Sequence, residues 1–295
     1  MMAISKQFTA YLERQLSEAT KQELKLKHVS SVSGGSINAA YCLHTTAGDY
    51  MMKRNSKSAF PDMFACERAG LVAIGQTQTI AVPQVILVDE FEDNSFLMLQ
   101  WIEAAKGTPA TFKLLGQQLA AMHRHTATQF GFDTNNFMGS LPQSNRRHDT
   151  WAGFFVNERL RPMVNIARHK QLLTKNDEAD FEDLYERLPG LFNEEPPALL
   201  HGDLWSGNYL IGVNQKPYLI DPAVSYGHRE FDIAMTTLFG GFGREFYEGY
   251  QSAFPLAQGW QERINLWNLY PLLLHLNLFG SGYLPQIRNS LKQYN

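Results

Sequence analysis

The stretch His201-Gly-Asp203-Leu-Trp205-Ser-Gly-Asn208, followed by Leu219-Ile-Asp221-Pro222, constrains this chain more than any other. Asp203 and Asn208 are five residues apart, and Asp221 follows Asn208 by thirteen. Between them lie an apolar run (Tyr209 to Val213), a turn cluster (Asn214-Gln-Lys-Pro217) and a return run (Tyr218 to Ile220). That pattern predicts a short hairpin, which would bring Asp221 back beside Asn208. The set thus gathered is what phosphoryl transfer requires. One Asp takes the proton of an attacking hydroxyl, and an Asn with a second Asp holds magnesium on the phosphates. The Asp-x-x-x-x-Asn spacing is itself that of a phosphotransfer catalytic loop.

The rest of the 295 residues is read around this segment. With 44% hydrophobic and 19% charged residues, the composition is that of an ordinary soluble globular protein. A formal net charge of -3 implies no general affinity for nucleic acid or anionic membrane. Two cysteines, Cys42 and Cys66, make neither a disulfide framework nor a zinc set, and are expected as reduced thiols in the cytoplasm. No signal peptide is read at the start, where Lys6, Glu13 and Arg14 interrupt any apolar run. The longest apolar stretch, Pro271 to Phe279, falls far short of the ~18 residues a membrane span needs.

The pattern predicts an amphipathic helix over 4–24, a small-residue loop from Val32 to Asn38 between two short strands, a strand over Tyr50 to Arg54, and a helix over Phe60 to Ile74. An extended run from Thr79 to Asp89, a polar turn and a buried strand from Ser95 to Trp101 follow. Thereafter helices are expected at Thr111–His125, Trp151–Ile166, Glu178–Phe192, Phe231–Phe254 and Trp260–Phe279. This gives an α+β chain with a small antiparallel-sheet lobe over 1–103 and a larger helical lobe over 104–295, joined near Lys106-Gly-Thr-Pro109.

In the first lobe Lys53 sits in a strand, eighteen residues after Gly35, in the Ser31-Val-Ser-Gly34-Gly35-Ser36 loop. A glycine loop over the phosphates and a strand lysine paired to a helix glutamate form one nucleotide-binding plan, with Glu67 as that partner. Strand alternation should turn Arg54 to the opposite face. Asp232, at a helix start, is a candidate to hold the catalytic loop through backbone N–H groups. His201 is expected to support the loop rather than to act as acid or base. His123 and His125, two residues apart, do not share a helical face and are read as structural.

With these residues in place the chain resembles the fructosamine kinase (ketosamine-3-kinase) family, related to aminoglycoside phosphotransferases and of protein-kinase-like fold. Besides the 201–208 segment, the likeness rests on Phe130-Gly-Phe132, Gly139-Ser-Leu-Pro-Gln143, Trp151-Ala-Gly-Phe-Phe155 with Arg159-Leu160, Ile220-Asp-Pro-Ala223, Tyr226-Gly-His228 and Phe239-Gly-Gly-Phe242. It implies ATP-dependent phosphorylation of the 3-hydroxyl of a ketosamine, on a small molecule or a glycated protein lysine, as part of deglycation. Asp203 would be the base, and Asn208 and Asp221 would hold Mg2+. Lys53, oriented by Glu67, would touch the phosphates, Leu99-Gln100-Trp101 would form the adenine hinge, and Trp205 would stack on the sugar. Some members carry a cysteine in the glycine loop; here that position is Ser36. A monomer is expected. The alternatives are a kinase of the same fold acting on an aminoglycoside or a choline-like amine, and a nucleotide-binding protein without turnover.

Overall fold

The computed structural model describes residues 5–33 and 37–294; the predicted Gly34-Gly35 loop lies outside them. The chain opens with helix α1 (Lys6–Thr20), whose N-terminus is capped by the Ser5 hydroxyl accepting from the Phe8 N–H at 3.1 Å. Strands β1 (Leu26–Val32), β2 (Ala39–Thr45) and β3 (Gly48–Ser56) follow, then helix α2 (Met63–Gln76) and strands β4 (Val85–Phe91) and β5 (Asn94–Gln100). The five strands form one antiparallel sheet in the order β1-β2-β3-β5-β4.

Two-residue periodicity sorts the sheet's side chains between two layers. Tyr41, Leu43, Met52, Phe96 and Met98 pack against Phe8, Leu12 and Leu16 of α1. Met51, Leu97 and Leu99 face Phe64 and Leu71 of α2. The alternation separates Lys53 from Arg54 as expected: Lys53 pairs with α2, and the Arg54 guanidinium lies over the Phe8 ring on the α1 side. Helix α2 begins three residues later than read, and the extended run from Thr79 becomes a paired strand only at Val85, after Pro83. Pro83 has no N–H to give to a ladder.

Helix α3 (Pro109–Met122) starts at Thr108, where Thr108 and Thr111 form a reciprocal capping box with Pro109 in the first turn. Such a cap is worth about 1 kcal/mol. A small hairpin, β6 (Asn136–Met138) with β7 (Leu141–Gln143), was not anticipated. Helix α4 (Trp151–Phe154) runs through a π-helical turn, Phe155–Leu160, into α5 (Arg161–His169). The wider turn buries Glu158 and Arg159 side by side. Helix α6 (Lys175–Arg187) ends short of the predicted Phe192 at Leu188-Pro-Gly190. Strands β8 (Ala198–Leu200), β9 (Tyr209–Ile211), β10 (Pro217–Leu219) and β11 (Ser225–Gly227) pair as β8 with β11 and β9 with β10.

One predicted helix is two. The segment 231–254 divides into α7 (Glu230–Leu238) and α8 (Arg244–Ala253), because Gly240 and Gly241 take positive φ (71° and 91°) and turn the chain. Helix α8 then lies against α3 at backbone contact. A Cβ on Gly116 would meet the Phe246 carbonyl oxygen at 2.0 Å, and one on Gly249 the Lys113 carbonyl oxygen at 2.1 Å. The last predicted helix is also interrupted, as α9 (Ile264–Trp267) and α10 (Leu269–Phe279), and α11 (Leu284–Tyr294) follows it unpredicted. The main core gathers Trp151, Phe154, Phe155, Phe181, Trp267 and Tyr270. Among the described residues no helix is long and apolar enough to cross a membrane.

Candidate active site

A cleft of about 840 Å³ opens between the α2 face of the sheet and the loops around β9 and β10. Asp203, Asn208, Asp221, Lys53 and Glu67 all line it.

The hairpin sets the geometry. Strands β9 and β10 pair Tyr209 with Leu219, and the Ile220 N–H donates to the Asn208 carbonyl at 3.0 Å, so Asp221 returns beside Asn208. The Asn208 carboxamide nitrogen donates to the Asp203 carboxylate at 2.9 Å and to the Asp203 carbonyl at 2.8 Å. Both donor hydrogens are thereby used, which leaves the amide oxygen as an acceptor. Asp221 takes a left-handed backbone (φ 54°) and leaves its side chain 41% exposed to the cleft. Asp tolerates that conformation better than most residues.

The loop from His201 to Asn208 is held from beneath. Asp232 accepts from the N–H groups of His201 (2.7 Å) and Gly202 (2.9 Å) with its two carboxylate oxygens. Its Oδ2 also meets His123 Nε2 at 3.2 Å, and His123 Nδ1 meets the Tyr250 hydroxyl at 2.8 Å. His201 Nε2 lies 2.8 Å from the Ile220 carbonyl, and its Nδ1 lies 3.2 Å from the Asp203 N–H. A neutral ring that donates from Nε2 and accepts at Nδ1 satisfies both. Burial, opposed by Asp232, holds that imidazole below its ordinary pKa. Gly202 has φ +81°, and a Cβ there would meet the Ala223 carbonyl oxygen at 2.1 Å, so only glycine fits.

Lys53 reaches down from β3. Its ammonium donates to Glu67 at 2.7 Å and makes a short contact with Asp221. Burial works against the lysine's charge, but the two carboxylates outweigh it and raise the pKa. Glu67 is pushed up to about 6, because burial and the nearby Asp221 outweigh Lys53. Asp203 rises to about 7: burial is the main cause, and Asp221 and Asp232 add to it against the Asn208 hydrogen bond. A carboxyl poised near neutrality can exchange a proton with a hydroxyl substrate.

Leu99, Gln100 and Trp101 lie along the cleft at the end of β5. The Gln100 N–H is committed to the Gln84 carbonyl at 2.8 Å, which removes it as a hinge donor. The reading from sequence did not single out Ala40, Met51, Leu210 and Ile220, which also line the cleft. The β2–β3 register that puts Ala40 opposite Lys53 could have found the first. Trp205 stands 36% exposed at the mouth, edge-on to Phe239 at 6.4 Å. A Cβ on Gly207 would strike its ring at 2.2 Å. His275 packs on Phe239 (4.8 Å) and Phe279 (5.4 Å) on the same rim.

The donor set fits a magnesium ion. Asn208 offers an amide oxygen and Asp221 a half-exposed carboxylate facing the same space, and Mg2+ takes one or two such oxygens with phosphates and waters for the rest.

Comparison with known proteins agrees with this geometry. The family model described as fructosamine kinase matches residues 8–295. A Synechocystis protein named as a ketoamine kinase is 41% identical over 288 residues, covering 96% of this chain and 95% of its own. The chloroplastic protein-ribulosamine 3-kinase of Arabidopsis thaliana is 36% identical over 280 residues, covering 92% and 83%. A crystal structure from Thermobifida fusca, described as a fructosamine-3-kinase, superposes with a TM-score of 0.86 at 31% identity, over 96% of this chain and 98% of that one. An aminoglycoside phosphotransferase crystallised with AMP-PNP and hygromycin B shares the fold, with a TM-score of 0.62 at 14% identity over 96% and 98%. The α+β, protein-kinase-like architecture is therefore established, and the chain belongs to the fructosamine kinase family.

Proposed function

We propose that this protein transfers the γ-phosphoryl group of ATP to the 3-hydroxyl of ketosamines. The observation that carries this reading is the convergence of Asp203, Asn208, Asp221 and the Lys53–Glu67 pair on one cleft, in a chain of this family. Asp203 takes the hydroxyl proton, the freed oxygen bonds to the γ-phosphorus, and ADP departs. Lys53, held by Glu67, neutralises phosphate charge. Asn208 and Asp221 hold Mg2+, which when bound neutralises charge developing on the phosphates. Asp232 and His201 keep the loop in place and touch no substrate.

The sheet-bearing residues 1–103 form the nucleotide lobe in this reading, and 104–295 carry the catalytic loop and acceptor site. Adenine lies between Ala40 and Met51 above and Leu210 and Ile220 below. With the Gln100 N–H engaged, the backbone just beyond it, at Trp101, meets the adenine edge. Trp205 stacks on the sugar of the acceptor. The acceptor is a free ketosamine or a glycated lysine on a protein, and its phosphorylation serves deglycation. The protein acts as a monomer in this reading, and the two free thiols suit the cytoplasm.

The competing kinase reading, with an aminoglycoside or choline-like acceptor, asks for carboxylates around a cation. Among the described lining residues the acids are Glu67, Asp203 and Asp221, each already given a role, and the rim is aromatic. The test is ATP consumption with Mg2+ on ribuloselysine, fructoselysine, a glycated protein, an aminoglycoside and choline. Turnover on ketosamines alone supports the reading. Turnover only on another amine replaces the substrate, and ATP binding without turnover returns the non-catalytic alternative.

A further inference from the structure

A second cluster of ligating side chains sits beside the β2–β3 turn of the sheet. Cys42 and His44 are two residues apart on β2 and so share a face. Asp49 on β3 stands opposite His44 in register. One ligand atom from each lies within 4.8 Å of the others. His44 Nδ1 is 3.0 Å from Asp49 Oδ2 and 3.9 Å from Cys42 Sγ. Donors around a tetrahedral ion with bonds of about 2.0–2.3 Å are separated by roughly 3.3–3.7 Å, so small side-chain rotations close the set. The strand pairing holds the backbone under all three ligands.

The surroundings orient the imidazole for such a role. Its other nitrogen, Nε2, lies 3.0 Å from the Ser30 hydroxyl of β1. As it stands, Nδ1–H donates to Asp49 and Nε2 accepts from the Ser30 hydroxyl. Because that hydroxyl can also accept, the ring can shift its proton to Nε2 and free the Nδ1 lone pair when a cation takes the place of the Nδ1 proton between His44 and Asp49. A ligating histidine characteristically has its second nitrogen fixed in this way. His28 stacks on the ring at 4.0 Å and 18°, fixing its plane. Thiolate, imidazole and carboxylate together select a zinc-like ion over the hard Mg2+ of the catalytic cleft.

We propose that Cys42, His44 and Asp49 bind a divalent transition cation of the zinc type, with water in the fourth position. On binding, the Cys42 thiol proton passes to solvent as the sulfur–metal bond forms, with no change of oxidation state. The ion clamps β2 to β3. The same face carries Met51 and Lys53, so the clamp braces the hairpin that roofs the cleft. The site is independent of the kinase reading and stands or falls without it.

Cobalt(II) is the probe, titrated into chelator-treated full-length protein and followed through the thiolate-to-cobalt charge-transfer band. One equivalent should saturate the band, and zinc should displace it. Cys66→Ser should keep the band, Cys42→Ser should abolish it, and Asp49→Asn should weaken cobalt binding by about tenfold or more. Asp49 is partly exposed, so its variant tests the site even if Cys42→Ser fails to fold. Absence of a thiolate band in the unmodified protein overturns the proposal. So does a band that survives Cys42→Ser, or Asp49→Asn binding cobalt as tightly as the original chain.

Discussion

Asn208 donates both carboxamide hydrogens to Asp203, one to its carboxylate at 2.9 Å and one to its carbonyl at 2.8 Å. The proposed metal ligand therefore also aims the proposed base, and the two roles are coupled. Asn208→Ala should lose the orientation of Asp203 along with metal affinity. Turnover should fall by about 10²-fold or more at saturating magnesium, from the scale of general-base catalysis. Steady-state kinetics across a magnesium titration checks this: recovery of full kcat at high magnesium would show that Asn208 serves the metal alone.

Asp203→Asn should remove most turnover and stabilise the free protein. A carboxyl raised to about 7 in the fold costs stability as pH rises from its unfolded value near 4 through about 7. The Asn variant should thus unfold later at pH 7.5, by up to about 4 kcal/mol, and the gain should shrink toward pH 4. Denaturant melts at the two pH values decide it. An unchanged or lowered stability at pH 7.5 would contradict the burial account of Asp203.

The same carboxyl fixes the pH profile. A base must be deprotonated to act, so kcat/KM should be full above about pH 7 and fall tenfold per unit below it. Magnesium-nucleotide should move the limb of kcat to lower pH, because a cation favours the carboxylate. A kcat/KM profile flat from pH 5 to 8 would exclude Asp203 as the titrating group.

Asp232→Ala should damage fold and activity together. It leaves two N–H groups and His123 without their acceptor in a fully buried site. Stability should drop by about 3 kcal/mol or more, at roughly 1–3 kcal/mol per orphaned group. Calorimetry checks the drop; a loss under 1 kcal/mol would mean the loop is held by other contacts.

Gly207→Ala should separate the two substrates. The added methyl displaces the Trp205 ring, which it would otherwise meet at 2.2 Å. The KM for a ketosamine should rise about tenfold while that for ATP stays within a factor of two, from the ~1–2 kcal/mol scale of one aromatic contact. Equal effects on both would detach Trp205 from the acceptor.

The hairpin and the split of Lys53 from Arg54 were legible because each rests on a local rule, a turn cluster between apolar runs or alternation in a strand. The Lys53–Glu67 pair was legible only through the nucleotide-binding plan that asks for a strand lysine and a helix glutamate. The break at Gly240-Gly241 was hidden inside a run with helical spacing, since either glycine alone is tolerated in a helix. The close seating of α8 on α3 through Gly116 and Gly249 depends on residues over 130 positions apart, and no local pattern reports it. The β6–β7 hairpin has three-residue strands, too short for periodicity to register. The commitment of the Gln100 N–H to Gln84 is likewise a tertiary fact, and it shifts the expected hinge contact toward Trp101.

The most direct test of the central claim is to locate the phosphate. The protein is incubated with ATP, magnesium and ribuloselysine, and the product is assigned by phosphorus–proton correlation in NMR, alongside Asp203→Asn. The account predicts phosphate on the 3-oxygen with the unmodified chain and almost none with the variant. Phosphate on another oxygen, or equal product from Asp203→Asn, would contradict it.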